Sequence, residues 1–298
     1  MFSADFAMRM KRVICLILVT VLLFAGCSDK ENEKHISTKV YEGLAATYAT
    51  SDISDYRVIA ALYNAGAPLS ERVFTPEAPD GRTERYGEYL ISLYYAREGG
   101  IDVSEYDASP SLEAVKERIA KPDGLSVYEI FVCVTALKLY GDEFDGGIVT
   151  KSLESRQNGV SGGMYEYVPT GDEEVSTDTV TTAYGFMVFA MLRNSVTDLN
   201  YDNALMYLAV NIGDDNTIND VQGKSSCSAT AVTLTALLSA GIPTDGEVST
   251  ALLTAIDGFR SGRRYSDRKG EAVNRQTDAD VLLCASSAMY GNPFTKEG

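Results

Sequence analysis

Tryptophan is absent from the 298 residues, histidine occurs once, at His35, and cysteine occurs only five times. With a single histidine, no histidine-based triad and no multi-histidine metal site can be assembled. Basic residues are also scarce: Lys plus Arg is 26 against 42 for Asp plus Glu, a net charge of −16. A nucleic-acid binder of this size needs a basic surplus, so no nucleic-acid partner is expected. What is present is an ordinary globular balance, 45% hydrophobic and 23% charged residues. That balance excludes a disordered chain, a collagen-like repeat and a polytopic membrane protein. The length suits one large domain or two small ones.

The N-terminus reads as an address. Arg9, Lys11 and Arg12 precede Val13 to Phe24, a run that is apolar except for Thr20. The run is too short to span a bilayer stably but has the length of a secretory h-region. Phe24-Ala25-Gly26-Cys27 then resembles a bacterial lipobox, with Phe in the place of the usual Leu. The resemblance implies cleavage before Cys27, lipidation of its sulfur, and attachment to the cell membrane or outer envelope on the extracytoplasmic side. An ordinary cleaved leader with a coincidental cysteine is the plainer alternative. Ser28 to His35 is polar and charged and has nothing to pack, so it reads as a solvated spacer. The expected organisation is therefore residues 1–26 as leader, 27–36 as lipidated cysteine and tether, and 37–298 as one folded domain. Cys133, Cys227 and Cys284 remain, an odd number and no disulfide framework. Packing as small hydrophobes is expected for Cys133 and Cys284; a Cys133–Cys227 or Cys227–Cys284 bond stays open.

Beyond residue 36, apolar residues recur at spacings of three and four. Helices are expected near 56–63, 84–97, 111–120, 127–140, 177–192, 203–212, 226–240, 247–259 and 277–290, most opened by Ser, Thr or Asp and closed by Gly. No segment alternates with period two, so the fold is expected to be all-α. Four nearly all-apolar helices share a mark: Val134-Thr135-Ala136-Leu137, Thr181-Thr182-Ala183-Tyr184, Thr230-Ala231-Val232 and Asp278-Ala279-Asp280-Val281. Closing glycines 141, 241 and 291 lie on a common grid, with Leu192–Asn194 at the missing node. More amphipathic helices lie between, near 144–157, 201–212 and 247–259. A helix that is apolar all round must be buried on every side, whereas an amphipathic one covers a flank and meets water. Alternation of the two predicts concentric layers, an α/α toroid whose ring is complete or incomplete, with a flat α-solenoid as competitor.

These features resemble the terpenoid cyclase and protein prenyltransferase superfamily. Leu237-Leu238-Ser239-Ala240-Gly241-Ile242-Pro243 carries the likeness, as does Gln157-Asn158-Gly159 before Gly162-Gly163-Met164-Tyr165, similar to the turns of squalene-cyclase repeats without their tryptophan. The resemblance spans about residues 50–292 and implies the toroid. With the lipid anchor, it implies a surface module that binds a small molecule or protein without catalysis, Tyr165, Tyr167, Phe259 and Tyr265 being candidate contacts. A terpenoid cyclase-like enzyme and a purely structural surface protein are the alternatives. The toroid is shared with cobalamin-binding proteins, but no specific motif supports that ligand, and no cofactor is expected.

Chemistry-bearing clusters are few. Asp278-Ala279-Asp280 approaches the DxDD proton donor of squalene–hopene cyclases without its last aspartate. Helix capping is the plainer reading, so Asp278 and Asp280 are only weak catalytic candidates. Asp214, Asp215, Asn216, Asn219 and Asp220 fail the EF-hand spacing and read as a solvated acidic loop, as does Asp172-Glu173-Glu174. Arg260, Arg263, Arg264 and Arg268 could hold an anion near the rim or pair with surface carboxylates; Lys224-Ser225-Ser226 lacks the geometry of a nucleophile and base. No metal site is expected.

Overall fold

The structure is a computed structural model that describes residues 35–49, 51–169 and 176–295. The leader, Cys27, most of the tether and the Asp172-Glu173-Glu174 stretch lie outside the described residues. Among these, eleven α-helices carry the fold: α1 (Ile36–Ala45), α2 (Tyr56–Asn64), α3 (Thr83–Glu98), α4 (Ser109–Ile119), α5 (Val127–Tyr140), α6 (Gly146–Ser155), α7 (Thr179–Met191), α8 (Asp198–Val210), α9 (Cys227–Ser239), α10 (Glu247–Asp257) and α11 (Arg275–Tyr290). Two antiparallel pairs of two residues each, Ile218–Asn219 with Ser225–Ser226 and Arg260–Ser261 with Arg264–Tyr265, trim the turns.

Packing closes the ring. Helices α2, α3, α5, α7, α9 and α11 each pack on the next, and α11 returns to α2. Outside them α4, α6, α8 and α10 join successive inner helices, and α1 lies against α11 and α10. The expected α/α toroid is thus present and complete on its inside. Its outer layer has five helices among the described residues, because α2 passes to α3 through an irregular connection, 65–82. That connection is pinned by Ile53, whose N–H donates to Val73 O (3.0 Å) and whose carbonyl accepts from Thr75 N (3.2 Å). His35, expected in the tether, caps α1, its Nδ1 accepting from Ser37 N (3.4 Å).

Local chemistry explains the layers. In α5, α7 and α9 most residues between the caps are buried, as a helix surrounded by neighbours requires. Their starts carry side-chain caps: Ser126 in a capping box with Glu129, Asp178 accepting from Thr181 N, and Ser226 accepting from Ala229 N. Gly141, at φ 68°, closes α5 in the left-handed conformation. Leu192 ends α7 where the glycine grid has no glycine.

The shared mark in three inner helices has a physical cause. Thr182, Thr230 and Asp278 are each the fourth residue of their helix, and each side chain accepts the backbone N–H of the turn before it. The donors are Met164 (2.9 Å), Ile218 (2.9 Å) and Tyr265 (2.8 Å). The mark therefore locks each hairpin turn to the helix it precedes. Gln157, in the turn used for the family likeness, reaches Gly162 O (3.0 Å) and Asn200 O (2.9 Å) through Nε2.

Helices α3 and α5 approach closely at Gly87 in α3, where an added Cβ would stand 2.8 Å from the backbone carbon and Cβ of Val132 in α5. Gly87→Ala is expected to lose about 1–2 kcal/mol of stability, since overpacking outweighs the helix-propensity gain of alanine. Urea unfolding checks this; an unchanged or raised midpoint would show that α3 and α5 can separate freely.

Candidate active site

The inner helices run parallel, so their N-terminal ends gather at one mouth of the ring. The far end is filled. Phe294, from the tail after α11, packs on Phe131 (5.8 Å between ring centroids) and Tyr56 (5.9 Å), and Asn292 ties the tail to Ser239 Oγ (2.8 Å). At the mouth lies a cavity of about 310 Å3, lined by Thr47, Tyr48 and residues 51–58, by Glu77, Arg85, Glu88 and Tyr89, and by Arg264, Arg275 and Asp278. Below it the lumen narrows to a void of about 10 Å3 beside Tyr184 and Asp280, no larger than one water.

Arg57, in the first turn of α2, separates the two spaces. Its Nη1 reaches Asp280 Oδ1 (2.6 Å) on the lumen side. Its Nε and Nη2 grip Asp55 Oδ1 (3.0 Å) and Oδ2 (2.6 Å) as a fork on the cavity side. Asp55 is also the cap of α2, accepting from Arg57 N (2.9 Å). Asp280, 3% exposed, is closed off further by the Ser228 hydroxyl, which donates to its Oδ2. Burial pushes the Asp280 carboxyl above the usual range, opposed by Arg57 and Ser228. Burial alone would lower the Arg57 pKa; Asp280 and Asp55 outweigh it and hold the guanidinium charged.

Glu88, one turn into α3, faces the same cavity as Asp55. Its Oε1 accepts from the Tyr128 hydroxyl (2.6 Å) and its Oε2 from Arg85 Nη1 (3.0 Å). Loss of solvent raises its pKa from the ordinary glutamate value, against Tyr128 and Arg85, and the Asp55 carboxylate adds to the rise. Tyr128 lies 3.3 Å from the Tyr56 hydroxyl and packs edge-on against Tyr184 (4.9 Å). Burial raises the pKa of all three tyrosines well above the ordinary value. The mouth thus holds Glu88, whose carboxyl burial makes prone to keep a proton, beside Asp55, which the Arg57 guanidinium holds in place. Positive ends of six helix dipoles surround both.

The residues expected from sequence fall in different places. Asp278 lines the cavity but is engaged by Arg264 Nε (2.6 Å) and Tyr265 N (2.8 Å). Asp280 lies behind Arg57. Phe259 and Tyr265 are fully buried, the latter with its hydroxyl between Arg260 and Asp257. Tyr165 accepts from Asn158 Nδ2 (2.6 Å), and Tyr167, 53% exposed, stands on the same turn. None of these four lines the cavity. Three of the four clustered arginines pair with carboxylates: Arg260 with Asp257, Arg264 with Asp278, and Arg268 with Asp220. In the acidic loop, Asp215 accepts from Thr217 and Ser225, and Asp220 from the Gln222 and Lys224 amides. Cys133, Cys227 and Cys284 are free and buried, with the Cys133 and Cys284 thiols pushed up to about 12 by burial. Among the described residues no group of three or more His, Cys, Asp or Glu could hold a metal, and no helix is long and apolar enough to cross a membrane.

No protein-family model matches the chain, and no curated protein is significantly similar to it. Solved structures do match. The unsaturated glucuronyl hydrolase from Bacillus sp. GL1, described as responsible for glycosaminoglycan degradation, aligns over 86% of this chain and 83% of its own with a TM-score of 0.54 at 14% identity. The GH76 alpha-mannanase from Bacteroides thetaiotaomicron aligns over 86% and 94% with a TM-score of 0.53 at 11% identity. A polysaccharide lyase aligns over 85% and 98% with a TM-score of 0.52 at 9% identity. The chain has the α/α-toroid fold of these proteins.

The expected likeness to terpenoid cyclases and prenyltransferases, with a non-catalytic binding module as its main consequence, is corrected by these matches, which are to carbohydrate-active enzymes. The physical reason lies in the pattern itself. Apolar inner helices with pinned turns are what any closed helical ring requires, so they specify the ring and no ligand. The cyclase alternative fails on geometry as well: Asp280 is neutralised by Arg57 above a filled lumen, where proton-initiated cyclisation needs an acid aimed into an open apolar cavity.

Proposed function

We propose that this protein is a glycoside-cleaving enzyme that hydrolyses a saccharide bound in the cavity at the mouth of the ring. The observation that carries the reading is that two carboxyl groups, Glu88 and Asp55, face one cavity, the first desolvated and the second held in a guanidinium fork. Hydrolysis of a glycosidic bond needs such a pair: an acid for the leaving oxygen, and a carboxylate that activates water or attacks the anomeric carbon. Glu88 fits the acid, because desolvation favours its neutral form. Asp55 fits the second carboxyl, because the Arg57 fork fixes its position beside the cavity. Tyr89 and Tyr48 line the cavity beside them and offer faces on which a sugar ring can stack. The matched carbohydrate-active toroids support the substrate class. Elimination, as in a lyase, is the weaker reading: it calls for a tyrosinate base, and every tyrosine at the lumen has its pKa raised by burial. The lipid attachment expected at Cys27 would hold such an enzyme on the outer side of a membrane, where extracellular saccharides are met.

The test is reducing-end release from a panel of neutral and acidic oligosaccharides and polysaccharides. Glu88→Gln is expected to cut kcat/KM by about 10²–10⁴-fold with unfolding unchanged. Because the protonated form of Glu88 works, kcat/KM in the wild type falls as pH rises through the elevated Glu88 pKa. No release by the wild type, or wild-type release by Glu88→Gln, overturns the reading.

A further inference from the structure

Arg85 holds two carboxylates with one nitrogen. Its Nη1 lies 2.8 Å from Glu77 Oε2 and 3.0 Å from Glu88 Oε2, and all three residues line the cavity. Glu88 sits on α3, but Glu77 belongs to the irregular connection that stands where a sixth outer helix is missing. The break in the outer layer thus brings a charge to the mouth that no helix supplies. Glu77 is 64% exposed and Glu88 19%, so the guanidinium bridges solvent and site.

We propose that Arg85 is a positioning residue for Glu88 and that Glu77 tunes it: the chain Glu77–Arg85–Glu88 sets the pH up to which Glu88 keeps its proton. This rests on the reading of Glu88 as the acid. The reason is direct competition. A hydrogen bond from Arg85 to Oε2 stabilises ionised Glu88 and occupies the oxygen that a proton would take, since Tyr128 already donates to Oε1. Glu77 draws on the same nitrogen and offsets its charge, which weakens that hold. The other groups facing Glu88 are fixed by partners of their own. Asp55 and Arg57 on α2 grip each other, Tyr56 and Tyr128 share a contact across α2 and α5, and Tyr184 on α7 is packed against Tyr128. From α4, Arg118 reaches Thr83 and Gly81 instead of Glu88. Arg85 joins Glu88 to a second carboxylate at the same cavity, Glu77, which is open to solvent.

The two variants therefore act in opposite directions. Glu77→Gln leaves Arg85 wholly to Glu88 and lowers the Glu88 pKa, by about 0.2–0.7 unit given the weakness of exposed ion pairs. Arg85→Gln removes the stabilising cation and raises it, by about one unit for a half-buried partner. The full chain, labelled with carboxyl-13C glutamate and assigned through Glu88→Gln, gives the Glu88 titration by NMR without any substrate. The alkaline limb of kcat/KM is expected to move with it. A purely structural role would lower turnover in both variants and shift neither titration. Absent or same-sign NMR shifts overturn the proposal, and Glu77→Gln alone suffices for this if Arg85→Gln folds poorly, because Glu77 is a surface residue. Opposed NMR shifts in a protein that cleaves no saccharide would uphold the coupling and remove the hydrolase reading; turnover without shifts would do the reverse.

Discussion

Asp280→Ala is expected to lower the unfolding free energy by about 3–5 kcal/mol, the cost of leaving one partner of a buried ion pair without the other. Asp280 is 3% exposed and is the side-chain partner of Arg57 Nη1, at 2.6 Å, whereas the rest of the guanidinium is held by Asp55. Alanine also strands the Ser228 hydroxyl, which donates to the lost carboxylate. Asp280→Asn separates charge from shape. Its amide oxygen still accepts from Arg57 and its NH2 can donate to Ser228, so about half the loss should be recovered. Urea titration reads the effect as a lower midpoint at constant slope. The double variant Arg57→Met with Asp280→Leu provides the control. Hydrophobic replacement of both partners of a buried pair is commonly neutral or stabilising, so stability should return towards the wild type. Asp55 would still lose its fork, and saccharide cleavage should stay low. Stability and activity would then part company at one pair of residues. If Asp280→Ala costs less than about 1 kcal/mol, the pair is not what holds α2 to α11 at the mouth.

The ring was legible because closure imposes a rule on every hairpin. Inner helices must be apolar all round and their turns must be locked, and the Thr182, Thr230 and Asp278 positions display that rule in the sequence. The same rule explains what stayed hidden. Helices α2 and α3 belong to the inner ring, but the 65–82 connection between them breaks the alternation that identifies inner helices. Asp55 and Glu88 stand on those two. In sequence, Asp55 is a helix cap and Glu88 one acid on an amphipathic helix. Only closure of α11 onto α2 puts Arg57 against Asp280, a pair separated by 223 residues. Asp278 and Asp280 resemble part of a DxDD cluster in sequence, yet one locks a turn and the other neutralises a guanidinium. Tyr165, Tyr167, Phe259 and Tyr265 follow turns, and the structure uses those turns to fasten hairpins to the first turns of inner helices. Helix α1 escaped notice because it follows a charged spacer directly, with only Val40, Tyr41 and Leu44 as its buried apolar stripe.

Arg156 carries the second large effect, and its sign requires weighing two terms. The side chain is fully buried and donates to three backbone carbonyls: Leu125 (2.6 Å), Glu166 (2.7 Å) and Pro122 (2.8 Å). Burial lowers its pKa, and among the described residues no carboxylate binds its head directly. Arg156→Met relieves the desolvation of that charge, which favours the variant by several kcal/mol at most. Against this, three carbonyls lose their donors at about 1–3 kcal/mol each, and the planar fork that spans them is gone. The carbonyls belong to the segment before α5 and to the turn after α6, which this guanidinium and the Val127 N–H to Glu166 O bond (3.1 Å) tie together. We expect a net loss of about 2–4 kcal/mol, with Arg156→Lys intermediate, because an ammonium cannot reach three diverging acceptors. Amide exchange localises the damage: protection at Val127 and Tyr165 should fall first, since their N–H groups bond to Glu166 O and Arg156 O. The start of α5 carries Tyr128, so its loosening should also free Glu88 from the Tyr128 hydroxyl and raise the Glu88 pKa further. A variant that keeps both the unfolding midpoint and the Val127 protection would show that the turn after α6 is held by its glycines, and that Arg156 contributes nothing to the mouth.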